Sequence, residues 1–225
     1  MLGADTAQGH DVFSRRTTDQ PMVGRGVYNL IIGGVLCWGF GLNAWMVANI
    51  APEAPLVYGF WPFMIGYFVC CFVGIMMFTK SDKPFVSFVG YNLVVIPFGL
   101  VVNAVVAGYD PHLVQEAVQV TGAITFIMML MGSTFPKFFL GLGRILFMAL
   151  IAMIIIELLA VFVFNWDRNI IDYAVAAIFC GYIGYDWARA NTIPPTVDNA
   201  IDSAASIYMD VINLFIRVLR IMGRR

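Results

Sequence analysis

Two aspartates stand in runs where an apolar chain has no obvious use for them. Asp210 interrupts SIYMDVINLFIRVLRIMG (206–223), and Asp186 closes the apolar run of FCGYIGYDWARA (179–190). A carboxylate at the centre of a membrane helix costs roughly 3 kcal/mol on insertion scales, and it normally faces a partner or water. The chemistry open to two such groups is proton exchange. Unit charges about 4 Å apart repel by roughly 4 kcal/mol at an effective dielectric near 20. A neighbouring pair should therefore hold one proton between them. Aspartic proteases use the same pairing. Here no soluble cleft or substrate-binding loop accompanies it, and the Gly-x-Gly-Asp signature of intramembrane proteolysis is absent. A proton-sensing gate fits the pair better than a hydrolase does.

Asp210 belongs to a stripe. At 100° per residue Asp202, Ser206, Asp210, Asn213, Arg217, Arg220 and Arg224 fall within about 80° of one another on a helix. Two arrangements would suit it. The helix could lie on the membrane with the stripe toward water, or sit inside a bundle with the stripe toward a polar cavity. Ile207, Val211, Ile212, Leu214, Phe215, Val218, Leu219 and Ile221 nearly surround the helix, which favours burial. Asp186 and Asp210 reach a similar depth if the polar turns from Thr196 to Ser203 stay at the interface.

Three further acids need a place. Glu157 sits in MIIIELLAVF near the middle of an apolar run, either as a hydrogen-bonded core acid or as a pathway residue. Glu116 and Asp172 lie near helix ends and are expected to meet headgroups or water. Asp172 precedes Asp186 by 14 residues, about 21 Å along one helix, so it could also mark the mouth of a path.

The elements that must hold these residues follow from composition. Of 225 residues, 60% are hydrophobic and 12% charged, about half the charged share of a soluble domain. The class is an integral membrane protein. Seven apolar segments long enough to span a bilayer appear at about 26–50, 55–79, 84–108, 112–135, 138–164, 169–190 and 197–222. The short loops imply one all-α transmembrane domain over 26–225, preceded by a polar segment, 1–25, expected to be flexible and cytoplasmic and lacking a cleavable signal pattern. Lys and Arg set the orientation. Arg15, Arg16, Arg25, Lys80, Lys83, Lys137, Arg144 and Arg189 fall on one side and Arg168 on the other, which puts the N-terminus in the cytoplasm. The basic tail at Arg217, Arg220, Arg224 and Arg225 runs against this rule if the last segment spans completely.

Cys37, Cys70, Cys71 and Cys180 all lie in apolar runs. They read as buried apolar side chains, not as a disulfide framework or metal site. His10 and His112 lie in polar stretches and read as solvated. Gly33, Gly34, Gly39 and Gly41 read as points of close helix contact. No basic arm or nucleic-acid motif is present, and no nucleophile–base set or phosphate-binding glycine loop that would indicate an enzyme. No cofactor is called for.

The last 45 residues also carry a resemblance. Tyr208, Asp210, Asn213, Leu214 and Phe215, with Tyr185-Asp186 ending the segment before, resemble the C-terminal signature of the Bax inhibitor-1 (transmembrane Bax inhibitor motif) family. Hydropathy extends the likeness over 26–222. It implies a seven-helix bundle with the C-terminal helix at its centre, in a bacterial-type member of the inner (plasma) membrane. It further implies a pH-sensitive calcium leak, with Asp186 and Asp210 closing the pore when they share a proton or a salt bridge. Eukaryotic relatives lower organelle calcium stores and suppress cell death. The family's latch includes an Arg at the cytoplasmic end of helix two. FTKSDKPF has Lys80 or Lys83 there instead, and a lysine cannot make the same bidentate fork.

The leading expectation is thus a cation leak channel with Asp186 and Asp210 as pH-sensing pair, Lys80 or Lys83 as basic partner, and Asp202, Ser206, Asn213, Glu157 and Asp172 along the path. Its partners are the lipid bilayer, calcium ions and protons. The alternatives are a non-conducting regulator that binds a membrane protein such as a protease, and a proton-coupled transporter.

Overall fold

A computed structural model describes residues 21–57, 59–160 and 169–224. The first 20 residues, the end of the fifth apolar segment, Arg168 and Arg225 lie outside the described residues, and so do the expectations attached to them, Arg15, Arg16 and His10 included. The described chain is all-helical: α1 (Arg25–Asn49), α2 (Phe60–Lys80), α3 (Pro84–Val106), α4 (Pro111–Thr134), α5 (Pro136–Leu159), α6 (Asn169–Ala190) and α7 (Val197–Met222). The boundaries follow local chemistry. Proline opens α3, α4 and α5 at the first turn, where its missing N–H removes no helical bond. Asp110 caps α4 by accepting from the His112 N–H, and Thr196 caps α7 by accepting from the Asn199 N–H. One expected boundary moves. The second span starts at Phe60, not residue 55, because Ala54–Leu56 forms a single 3-10 turn and Gly59 adopts φ +95°.

Helices α1 to α5 are each long and apolar enough to cross a membrane. Their outward faces carry Phe68, Phe72, Phe126, Ile145 and Ile155, all at least half exposed. Side chains of this kind, so densely placed, require lipid rather than water. The chain is a multi-pass membrane protein.

Packing divides the helices into two sets that meet on α7. On one side α1 and α3 contact α7, with α2 packed behind α3; on the other α4 and α6 contact it, with α5 behind α6. Of the 26 residues of α7, 16 are buried, so it does not lie flat on the membrane surface. The polar first turns of α7 are packed inside the protein. Thr196, Asp198, Asn199 and Ser203 are buried, and the structure satisfies them internally. Ser87 Oγ donates to Asp198 Oδ1 at 2.8 Å, and Tyr28 Oη lies 3.1 Å from Ser203 Oγ. Of the four glycines expected at contacts on α1, only Gly39 is at one, against Tyr91 and Tyr208; a Cβ on Gly33, Gly34 or Gly41 would meet nothing within 4 Å.

Candidate functional site

The site forms on the α6–α7 hairpin. Asn191 to Pro195 turn the chain back, and Asn199 Nδ2 donates to Pro194 O at 2.9 Å, fastening the turn to the first turn of α7. The helices therefore run antiparallel and pack along their length. Helix α6 is pressed in turn against α4. A Cβ on Gly132 would stand 2.6 Å from Gly184 O, so only glycine permits that approach, and Trp187 Nε1 donates to Ser133 Oγ at 2.7 Å beside it. These two contacts hold the α6 turn that carries Asp186.

Asp186 and Asp210 meet across this hairpin in a side-chain hydrogen bond. Two carboxyl groups can hydrogen-bond to each other only when at least one of them carries a proton. Asp210 is 7% exposed and the Asp186 side chain 11%, and among the described residues Asp210 Oδ2 has no hydrogen-bond partner. The basic group beside the pair is Arg189, whose Nη1 lies 3.7 Å from Asp186 Oδ1, one turn along the same helix. Lys80 and Lys83 are both exposed, and among the described residues neither forms a salt bridge to the pair. Reading the sequence by loop charge put Arg189 among the cytoplasmic cations and missed this contact, although its i, i+3 spacing from Asp186 was a visible signal.

The remaining stripe residues divide. Asp202 and Ser206 are half-buried on the N-terminal side of Asp210. Asn213 turns back on its own helix, Nδ2 donating to Met209 O at 2.8 Å. Beyond it lies a second charged site. Arg217 donates from Nη1 and Nη2 to Glu157 Oε1 and Oε2 at 2.9 and 2.7 Å, and from Nη1 to Asp172 Oδ1 at 2.7 Å. Arg224 donates to Asp172 Oδ2. Arg220 adds longer contacts of 3.7 Å to Glu157 and 3.9 Å to Asp172. Asp172 is 1% exposed, so it meets neither headgroups nor water, because three arginines of α7 cover it. All four oxygens of Glu157 and Asp172 are engaged by guanidinium groups. Glu116 keeps its expected surface place, 3.4 Å from His112.

Tyr208, the tyrosine two residues before Asp210, points to the other set of helices. Its hydroxyl accepts from Asn43 Nδ2 at 2.6 Å, and its ring meets Tyr91 edge-on with centroids 5.5 Å apart. The signature thus places one residue on each side of α7: a neutral anchor to α1 and α3, and an acid toward α6.

The chain is similar to several known proteins. A Helicobacter pylori (strain J99) protein is 30% identical over 168 residues, covering 72% of this chain and 71% of the relative. The inner membrane protein YbhL of Escherichia coli K12 is 25% identical over 226 residues, covering 92% of this chain and 95% of YbhL. The Golgi anti-apoptotic protein of vaccinia virus (strain Lister) is 31% identical over 125 residues, covering 55% of this chain and 52% of the viral protein. The family model described as "inhibitor of apoptosis-promoting Bax1" matches residues 20–225. That match runs through all seven helices and includes the hairpin on which the two aspartates meet, and the chain belongs to the Bax inhibitor-1 family.

Proposed function

We propose that the protein is a pH-sensitive cation leak channel, with calcium as permeant ion, gated by Asp186 and Asp210 and carrying out no enzymatic reaction. The observation that carries this reading is the buried hydrogen bond between the side chains of Asp186 and Asp210, which joins α6 to α7. It is the contact between the two helices that cannot survive loss of a proton. In this reading α7 is the centre of a seven-helix transmembrane bundle whose N-terminus is cytoplasmic. The contacts of the uncharged Tyr28, Asn43 and Ser87 keep α7 with α1 and α3, and α6 parts from it at the level of Asp186 and Asp210. Arg189, not Lys80 or Lys83, supports the ionised form of Asp186. Calcium is favoured because it prefers carboxylate and carbonyl oxygens, and a path lined by acids attracts cations.

The sign of the pH response follows by linkage. The closed arrangement binds one more proton than the parted one, so raising pH favours parting. A differential of about 1.4 kcal/mol shifts the closed-to-open ratio tenfold. Purified protein in liposomes with an internal calcium dye, measured over about pH 5 to 8, should leak faster as pH rises. A leak flat with pH, or one that grows on acidification and persists in Asp210→Asn, contradicts the mechanism. Flux that saturates and accumulates calcium against its gradient would indicate a proton-coupled transporter. No flux at any pH would leave the regulatory reading, in which the protein acts by binding a membrane partner.

A further inference from the structure

We infer that Arg217, clamped by Glu157 and Asp172, is a second closure on the same polar stripe, in series with the aspartate latch and independent of it. Arg217 follows Asp210 by seven residues, two helical turns and about 10.5 Å along α7. Its side chain is 15% exposed, with partners at 23% and 1%. The guanidinium is held by α5 through both Glu157 oxygens and by α6 through Asp172, so one side chain of α7 ties three helices. A planar fork held on several sides has little freedom to move aside. A cation following the stripe past Asn213 would meet a fixed positive charge, and the acids beyond it offer no oxygen that is not already held by an arginine. Parting of Asp186 from Asp210 does not itself break any of these bonds. A continuous path therefore needs Arg217 to release Glu157, Asp172 or both.

The inference rests on the leak reading for its functional meaning, but its structural content is tested without flux. In protein lacking the four native cysteines, Asn213→Cys places a thiol between the two closures. A membrane-impermeant maleimide is applied from the side at which α7 ends. With Arg217 present the thiol should react slowly. Arg217→Gln should raise the labelling rate about tenfold, the change that about 1.4 kcal/mol produces in an opening equilibrium. The combination Arg217→Gln, Glu157→Gln, Asp172→Asn leaves none of these three groups charged and should give the same increase, so the result does not hang on one variant's folding. Arg217→Lys, which keeps the charge but loses the fork, should lie between. Calcium leak at the pH where the unaltered protein leaks most should rise in the same order. Labelling that is unchanged in both neutral variants, while the aspartate-dependent leak persists, overturns the second closure and leaves the leak reading intact. Labelling that rises in protein that never conducts supports the closure and removes the leak reading.

Discussion

At the scale of single residues, the same side-chain type serves two purposes according to its neighbours. Asp210 faces another carboxyl, whereas Asp172 faces arginines. In the proposed mechanism the first contact responds to pH and the second to geometry. Because Asp186 and Asp210 share one hydrogen bond, neutralising either removes the same interaction. Asp186→Asn and Asp210→Asn should each change the leak strongly, and the double variant should do no more than the larger single one. Flux from the three proteins across pH forms the double-mutant cycle; additive effects, or three leaks like the unaltered one, would count against a shared latch.

At the scale of elements, α7 is held differently on its two sides. Toward α1 and α3 the contacts are made by uncharged side chains of those helices: Tyr28 with Ser203, Asn43 with Tyr208, and Ser87 with the carboxyl group of Asp198. Toward α5 and α6 they are acid–acid and acid–arginine. If the neutral side is the stationary one, weakening it should lower stability without altering the pH response. Tyr208→Phe leaves the Asn43 amide without its hydroxyl acceptor at a buried position, and an unsatisfied group of that kind costs about 1–3 kcal/mol. Thermal unfolding in detergent should show a lower midpoint, while the pH at half-maximal leak stays in place. A shifted pH response with unchanged stability would assign Tyr208 to the latch instead. On the other side, the Gly132–Gly184 approach sets the position of α6 itself, so that element is placed by α4 as well as by α7.

At the scale of the molecule, α7 contacts α1 and α3 on one side and α4 and α6 on another and carries several of the buried polar residues, while apolar side chains cover the outer faces of α1 to α5. Polar groups on such a helix are tolerated where they meet partners within the protein, as Asp198, Ser203, Tyr208 and Arg217 do. The arginines near the end of α7 are met by Glu157 and Asp172, which bring compensating charge to that end of the helix. Cysteine scanning from Ile207 to Leu219, on a background without native cysteines, should find apolar positions shielded from both aqueous and lipid-phase reagents. Strong lipid-phase labelling along Val211, Leu214 and Val218 would place that face of α7 outside the bundle.

Hydropathy and punctuation made the seven helices legible, most of their ends to within a few residues, because a bilayer demands long apolar runs and proline stops or starts them locally. The aspartate pair was legible for the same reason: a carboxylate in such a run is costly enough to need a partner. Even the second site left a trace. Asp172 lies 14 residues before Asp186 and Arg224 lies 14 after Asp210, so the antiparallel register that joins the aspartates also sets these two opposite each other. What sequence alone could not decide was which long side chain reaches which acid. Arg217 bridges two helices remote from it in the chain, Arg189 is the basic group that lies 3.7 Å from Asp186, and Thr196, Asp198, Asn199 and Ser203 are buried within the protein. Those outcomes depend on packing between helices, where a shift of one turn moves a charged group about 5.4 Å, and on the choice of neighbours that only the tertiary structure makes.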